Sequence, residues 1–262
     1  MRKKIITFAT IFAIGAPALA ACGATTEPAK TETTTTQDDE ATTAAESTAT
    51  VTDTAETVTS VPESGVNPYA WLGLQDMPKC NYLDILSTGK YYQTYEHRAM
   101  GISSEQEDAR DGVNTYTKDA NTTSYSIDGK VISINEASKF YMEYDIGSLA
   151  QTAKDAFEDA LKNGTNTTGR SFVGTGKGII PTLDDDKTEY DYYEYNNPEA
   201  EEAGSSMTER FYLKDGDVYA IYEKISLGGS DVETVKIIKS ISGEIPASTF
   251  ELPDLSGYTK YE

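Results

Sequence analysis

The feature that most constrains the fold is an alternating pattern on both sides of Asp128-Gly129. Successive side chains of a β-strand point to opposite faces, so a period of two predicts a strand with one buried face. Asp-Gly between two such segments favours a tight two-residue turn, because glycine tolerates positive φ. We therefore predict an antiparallel hairpin here. Its alternating positions are Thr123, Tyr125, Ile127, Ile132 and Ile134.

Strand-like segments continue on both sides of this hairpin. Phe140, Met142 and Tyr144 alternate with other residues and predict a third strand of the same meander. We interpret the charged segment 103–112 as a loop, and residues 165–186 as a Gly/Thr-rich connection with room for one short strand. Additional strands are predicted at residues 91–98, 113–118, 188–195, 209–225 (with a turn at 215–216) and 232–241.

One amphipathic helix is predicted after the meander. Ser148 and Gln151 have the spacing of a capping box, and Gly164 stands where a C-terminal cap is expected. The apolar positions, which recur at helical spacing, are Leu149, Ala153, Ala156, Phe157, Ala160 and Leu161. These elements predict an α+β fold: a single curved antiparallel β-sheet, in an open half-barrel, covered by one main helix and short N-terminal helical turns.

The N-terminus has the residue order of a secretory signal. Residues 2–4 are basic and precede an apolar stretch, residues 5–18, that is too short to span a membrane as a helix. The next four residues, Leu19-Ala20-Ala21-Cys22, resemble the lipobox of bacterial lipoproteins. That resemblance implies removal of residues 1–21 and a diacylglycerol, with acyl chains such as palmitate, on the Cys22 sulfur. The alternative is an ordinary signal peptide followed by a chance cysteine.

Residues 22–66 are rich in Thr, Ala, Glu, Ser and Asp and contain no aromatic residue. Such a segment buries too little apolar surface to offset its ordering entropy, so we predict a disordered tether of about 35–40 Å root-mean-square length. Glycosylation of its hydroxyl groups is an additional possible role. Two acyl chains suffice for stable anchoring. We therefore expect an extracytoplasmic protein held at the cell membrane of a Gram-positive bacterium, with residues 67–262 as its folded domain.

The net charge of −21 at pH 7 argues against one broad class of partner. Binding of nucleic acid depends on Lys and Arg, which are outnumbered here by Asp and Glu, 22 to 43. A high charge of one sign keeps proteins soluble and unassociated, so we expect a monomer. If Cys22 is lipidated, Cys80 has no partner for an intrachain disulfide. It is then either a small apolar core residue or a free thiol.

Short motifs in the folded domain resemble lipoproteins of the LolA/LppX-like superfamily. The first group is Asp128-Gly129-Lys130, Asn135 and Ser138-Lys139-Phe140-Tyr141, and the second is Phe250-Glu251-Leu252-Pro253 followed by Gly257-Tyr258. The resemblance implies an open antiparallel half-barrel whose concave apolar face is covered by helices and holds acyl chains. It supplies no catalytic residue, because that superfamily has no universal catalytic signature.

Side chains for catalysis or metal binding are sparse. His97 is the only histidine and Cys80 the only free thiol of the folded domain, so nucleophilic triads and zinc sites lack their usual residues. The acidic run 184–186, with Glu189 and Asp191, lacks the spacing of a calcium loop and is interpreted as solvated. We therefore predict no catalytic residue, no metal and no cofactor apart from the covalent diacylglycerol.

The main prediction is a non-enzymatic lipoprotein that binds a hydrophobic small molecule or a lipid in the concave sheet beneath the helix. The alternative is a cell-surface interaction module that holds wall polymer or a partner protein on a tyrosine-rich sheet face, since tyrosine combines an apolar ring with a polar tip. An envelope enzyme is a third interpretation. The predicted ligand-binding residues are Phe140, Met142, Tyr144, Leu149, Phe157, Leu161, Tyr190 and Tyr192.

Overall fold

A computed structural model describes residues 65–183, 187–202 and 204–261. The signal sequence, Cys22 and nearly all of the tether lie outside these ranges, and so does the acidic run 184–186. Lipidation of Cys22, the disordered tether and the solvated acidic loop therefore stay predictions.

Within the described residues, twelve strands form one open curved sheet. The strands are β1 (Lys90–Ala99), β2 (Ile102–Asp111), β3 (Asn114–Lys118), β4 (Thr122–Ile127), β5 (Lys130–Asn135), β6 (Phe140–Asp145), β7 (Ser171–Gly178), β8 (Tyr190–Asn196), β9 (Ser205–Lys214), β10 (Asp217–Leu227), β11 (Ser230–Ser242) and β12 (Thr259–Lys260). Their order is β12-β6-β5-β4-β3-β2-β1-β11-β10-β9-β8-β7. Neighbours are antiparallel except β6 and β12. The predicted fold class, an α+β open half-barrel, is confirmed.

The main helix runs across the sheet between two strands that lie near opposite edges. The described helices are α1 (Asn81–Leu86), α2 (Ser148–Asn163) and α3 (Pro198–Glu202), with 3-10 turns at Ala70–Leu72 and Ala247–Phe250. Helix α2 connects β6 with β7, which lie near opposite edges of the sheet. Phe157 of α2 packs against Arg110 of β2. We call the sheet face that carries Arg110 the inner face, and the other the outer face.

Apolar clusters lie on both faces of the sheet. The inner cluster joins α2 and the segment 69–86 to the sheet, and includes Trp71, Leu74, Leu83, Phe157, Leu161, Tyr195, Phe211 and Ile221. One outer cluster contains Tyr125, Ile132 and Ile134 and is covered by the C-terminal segment, through Ile245, Phe250, Leu255 and Tyr258. A second outer cluster contains Tyr212, Tyr222 and Val235 and is covered by Ile180 and Leu183.

The hairpin predicted at Asp128-Gly129 is present as β4 and β5. Tyr125 lies opposite Ile132, so the predicted alternating positions share one face. Asp128 and Gly129 have φ values of 49° and 81°, which is the left-handed pair that a type I′ turn requires. A Cβ at position 129 would lie 2.8 Å from the Cβ of Ala150, so glycine also lets the start of α2 approach this turn.

The segment 103–112, which we interpreted as a loop, is a strand, and the connection 165–186 holds a longer strand than the short one that we allowed for. Residues 103–112 belong largely to β2, in the middle of the sheet, because neighbouring strands supply partners for its polar side chains. Gln93 Nε2, for example, donates a hydrogen bond to Asp108 Oδ2 at 2.9 Å. Residues 171–178, within the predicted Gly/Thr-rich connection, form the full edge strand β7. At Gly176 an added Cβ would lie 2.4 Å from Tyr192 Oη, so the absence of a side chain makes room for that ring.

Helix α2 ends as predicted but begins differently. Gly164 adopts the left-handed conformation (φ 68°) and its N–H bonds the Ala160 carbonyl, which confirms the C-terminal cap. The predicted capping box is wrong, because Ser148 is the first helical residue and Gly147 is the N-cap. Leu149 is 66% exposed, so the apolar stripe is buried only in the second half of the helix.

Candidate binding site on the inner face

Three of the predicted ligand-binding residues lie in a row on the inner face of β6. Phe140, Met142 and Tyr144 alternate along the strand, and they point to one face for that reason. Their exposed fractions are between 43% and 51%. A contiguous group of large, half-exposed apolar side chains near a sheet edge is more informative than scattered ones. This row is therefore the starting point of the candidate site.

A strip of small hydroxyl side chains continues from this row across the inner face. Met142 lies opposite Ser133, Ser133 opposite Ser124, and Ser124 opposite Thr117. The Oγ atoms of Ser124 and Ser133 are 3.1 Å apart and share a hydrogen bond. We define the hydroxyl strip as Thr115, Thr117, Ser124, Ser126 and Ser133, all of which are half-buried. The strip places hydrogen-bonding groups directly beside the apolar row.

Leu149 adds an apolar side chain at the same edge of the sheet. It follows Tyr144 by one short turn, in which the Leu149 N–H bonds the Ile146 carbonyl. The first half of α2 stays close to the β4–β5 turn through Ala150 and Gly129, while Leu149 itself remains exposed. Phe140, Met142, Tyr144 and Leu149 are thus exposed in one region of the chain. We call these four residues the apolar edge.

Phe157 and Leu161, two of the predicted ligand-binding residues, are core residues of the fold. Both are buried in the inner cluster, where the Phe157 ring meets Trp71 edge to face at 5.4 Å. The Arg110 guanidinium lies 4.9 Å from the same ring. The space between the second half of α2 and the sheet is therefore occupied by side chains of the chain itself. These two residues support the fold and do not join the apolar edge.

Tyr190 and Tyr192 lie on the outer face. Tyr192 packs on Tyr212 at 5.4 Å, and the Arg210 guanidinium is 4.8 Å from the Tyr192 ring. Tyr193 and Tyr195, which alternate with them, point to the inner cluster. The tyrosine segment therefore has rings on both faces of the sheet. The structure nevertheless separates Tyr190 and Tyr192 from the other predicted ligand-binding residues by the thickness of the sheet.

A buried polar cluster adjoins the hydroxyl strip and was missed by our reading of the sequence. Asp108 lies opposite Thr117 and accepts hydrogen bonds from Gln93 Nε2 (2.9 Å) and Tyr91 Oη (3.3 Å). The hydroxyl of Tyr82 on α1 donates to Gln93 Oε1 at 3.3 Å. Burial raises the pKa of Asp108, against the opposing effect of these hydrogen bonds. No local pattern in the sequence indicates this cluster, since its members come from three elements.

Ion pairs extend the polar cluster toward the other half of the sheet. Arg170 holds Glu209 through Nε–Oε2 (2.6 Å) and Nη2–Oε1 (2.8 Å) contacts. The Lys236 ammonium lies 3.3 Å from Glu223 Oε1 on the neighbouring strand. Burial lowers the pKa of His97, and the nearby Lys236 lowers it further. The charges of Glu209 and Glu223 are thus matched by cations of the chain itself.

Two surface clefts lie on other parts of the described chain. One surface cleft, of about 450 Å³, lies between the start of β1 and the segment 243–250. Another, of about 550 Å³, surrounds residues 65–69 and Met77.

Across the described ranges, no three His, Cys, Asp or Glu side chains are grouped as metal ligands. None of the helices that the structure describes is long and apolar enough to cross a bilayer. Cys80 is buried, and burial raises the pKa of its thiol to about 11.

Comparison with known proteins gives only distant structural likenesses among those described here. No protein-family model matches the chain, and no curated protein matches it. A solved structure described as a DUF1329 family protein from Desulfovibrio piger is similar over 64% of this chain and 92% of its own length. The two sequences are 10% identical and the TM-score is 0.28. A likeness of this size carries no inference about function.

Proposed function

We propose that this chain is a membrane-anchored extracytoplasmic lipoprotein that binds an apolar or amphipathic ligand without transforming it. The ligand lies along the inner face of β4–β6, in contact with the apolar edge and the hydroxyl strip. One observation carries the proposal: the three large apolar side chains of β6 remain exposed on the face where the rest of the chain builds its main core, and Leu149, at the start of the following helix, is exposed as well. The lipobox-like Leu19-Ala20-Ala21-Cys22 supports the location.

The site suits a ligand with both apolar and polar parts. An acyl chain or a similar apolar group would lie along β6 and cover Phe140, Met142 and Tyr144. Alternate residues of a strand are about 7 Å apart, so a chain in this direction contacts the three side chains in turn. Hydroxyl groups of Ser133 and Ser124 lie one and two strands away, respectively, and can exchange their mutual hydrogen bond for one with a polar ligand group. The ligand class is therefore lipid-like rather than purely polar.

The buried polar cluster supports a binding protein rather than an enzyme. Asp108, Glu209 and Lys236 are each less than about a tenth exposed, and their partners are other side chains of the fold. A catalytic acid or base has to come within hydrogen-bond reach of a substrate proton. Groups that are closed off in this way hold neighbouring strands together. We accordingly assign the cluster a structural role.

A binding assay with a fluorescent fatty acid tests the proposal. The full chain carries Cys22→Ala, so that no covalent acyl chain contributes to the signal. Each half-exposed side chain of the apolar edge contributes on the order of 1 kcal/mol when the ligand covers it. The double substitution Phe140→Ser/Met142→Ser should therefore weaken binding by about 2 kcal/mol, or about 30-fold.

The matched control uses the opposite edge of the sheet. Val173 and Ile179 belong to or follow the edge strand β7 and are about as exposed as Phe140 and Met142. Val173→Ser/Ile179→Ser should leave the affinity for the fatty acid unchanged. A parent chain that does not bind, or equal losses in the two double variants, would contradict the proposal.

The tyrosines of the outer face favour a second candidate function. Tyr192 stacks with Arg210, and Tyr190 packs on Tyr219 at 5.3 Å, so half-buried rings line part of that face. Such rings suit a wall polymer or a partner protein. Retention on purified wall material is measured for the parent chain, Tyr192→Ala and Phe140→Ser/Met142→Ser. This comparison separates the two candidate functions. Loss of retention in Tyr192→Ala alone would favour the interaction module.

A further inference from the structure

Two neighbouring β-hairpins present large apolar side chains at their turns. Met100 and Ile102 lie at the β1–β2 turn and Leu227 lies at the β10–β11 turn, with exposed fractions between 66% and 78%. Single exposed apolar residues are ordinary on protein surfaces, whereas a group of them marks a contact surface. We call Met100, Ile102 and Leu227 the tip residues.

The two turns lie at the same end of the sheet, and the β10–β11 hairpin extends about four residues beyond the end of β1. Strand β1 pairs with β11, and Ala99 at the end of β1 lies opposite Thr234. Ile225 and Val232 form a cross-strand pair just before the second turn and are themselves exposed. The apolar surface of the tip residues therefore continues along the end of the second hairpin.

Both turns stand clear of the rest of the described chain. Met100 and Gly101 have φ values of 49° and 77°, and Gly228 and Gly229 have 58° and 86°, the left-handed values that tight hairpin turns use. Apart from the glycine itself and its two adjacent residues, no described residue has an atom within 4 Å of a Cβ added at Gly101, Gly228 or Gly229. The tips are therefore narrow and unobstructed, and they can enter a planar surface without displacing other elements.

The charge around the tips differs from that of the whole chain. Residues 98–104 and 224–232 contain two basic residues and one acidic residue, whereas the chain carries a net charge of −21. Lys224 is paired with Asp231 (Nζ–Oδ2, 2.7 Å), and the third charge, Arg98, is paired with Glu96 (Nε–Oε1, 2.5 Å). Few and paired charges reduce the cost of desolvation and the repulsion from anionic lipids. A bilayer surface therefore fits the tips better than it fits the acidic remainder of the chain.

We infer that the tip residues insert into the interfacial region of a lipid bilayer and orient the domain on it. This inference rests on the membrane location in the proposed function. The tether predicted for residues 22–66 would reach about 35–40 Å, compared with a radius of gyration of about 16 Å for a domain of this size. A tether of that length lets many surfaces face the bilayer, so the apolar tips select one orientation.

A local fluorescence reporter tests this contact. The parent chain has one tryptophan, Trp71, which is buried in the inner cluster and gives a constant background. Met100→Trp places a second tryptophan at a tip, and Ile179→Trp places one at the opposite end of the sheet, after β7. The full chain is studied with excess phosphatidylcholine–phosphatidylglycerol vesicles, with or without bromine on the acyl chains. Brominated lipid should quench the added emission of Met100→Trp and shift it to shorter wavelength, and should leave that of Ile179→Trp unchanged.

Two further variants and one measurement decide between the possible outcomes. Ile102→Ser/Leu227→Ser, introduced into Met100→Trp, should reduce its quenching to the level of Ile179→Trp. Lack of quenching in Met100→Trp would overturn the inference. A wavelength shift that depends on protein concentration without vesicles would overturn it too, because the tips would then bind a second copy of the chain. Intact mass of the same sample reports lipid on Cys22. An unmodified Cys22 therefore counts against the proposed anchor, whereas unquenched Met100→Trp in a lipidated chain counts against the tips alone.

Discussion

The buried pair of Arg170 and Glu209 allows one prediction to be worked out fully. Its side chains are 11% and 5% exposed, and the guanidinium makes two contacts with the carboxylate, at 2.6 and 2.8 Å. Arg210 and Glu194 form a comparable pair on β9 and β8, with the same Nε–Oε2 distance of 2.6 Å but exposures of 32% and 22%. The two pairs differ in burial and in the second contact that Arg170 makes, so comparing them tests how much a buried, bidentate pair stabilises the fold.

Glu209→Gln should destabilise the fold far more than Glu194→Gln. The first substitution leaves the Arg170 guanidinium buried without its bidentate countercharge, which costs about 3–5 kcal/mol. The second affects a partly solvated pair, for which the loss is about 1 kcal/mol or less. For a domain of about 200 residues, each kcal/mol lowers the melting temperature by about 2–4 °C, so we expect a fall of about 6–20 °C against at most about 4 °C.

Thermal unfolding followed by circular dichroism measures both losses, in the full chain with Cys22→Ala. Arg170→Met/Glu209→Leu serves as the rescue variant, because replacing both members of a buried pair with apolar groups removes the unpaired charge. The carbonyl of Leu72, which Arg170 Nη1 bonds at 3.2 Å, keeps its 2.9 Å hydrogen bond from Thr168 Oγ1. Equal losses in the two Gln variants, or a rescue variant no more stable than Glu209→Gln, would refute the reasoning.

Fatty-acid labelling of growing cells should mark the parent chain and leave Cys22→Ala unmarked; label in both would place the lipid elsewhere. Gly129→Ala should cost about 1–3 kcal/mol more than Gly216→Ala in urea unfolding. Both glycines have similar φ, 81° and 82°, but an added Cβ clashes with Ala150 at position 129 and meets no described atom at 216. Arg98 and Lys239 lower the pKa of Glu96 to about 2. The stabilisation by Glu96 is therefore present above pH 4.5 and lost as the pH falls toward 2, so the urea midpoint of Glu96→Gln should fall less over that range. If the urea midpoints of the parent chain and of Glu96→Gln fell equally over that range, the stabilising role assigned to Glu96 would be contradicted.

Sequence signals that depend on only a few residues predicted the β4–β5 turn and the end of α2 correctly. The Asp128-Gly129 turn needs two residues at positive φ, and the end of α2 needs one at Gly164. These requirements are local, so they can be read without knowing the rest of the fold. The count of alternating segments likewise indicated a largely antiparallel sheet, which the structure has.

Strand β2 and the buried polar cluster could not be predicted in this way. Asp108 bonds Gln93 and Tyr91, which precede it by 15 and 17 residues, and its burial is acceptable because of these partners. Glu209 depends in the same manner on Arg170, 39 residues earlier in the chain. A polar segment is interpreted as a loop unless the strands that supply its hydrogen-bonding partners are known.

The sequence by itself determined that β6 has an apolar side, that α2 has an apolar stripe, and that the tyrosine segment has rings on both sides. Only the tertiary structure decided what covers each of them. The second half of α2 reaches the inner cluster, the C-terminal segment covers the outer side of the hairpin, and the inner side of β6 remains exposed. The physical reason is that alternation distinguishes the two faces of a strand, whereas burial depends on which distant segment packs on each face.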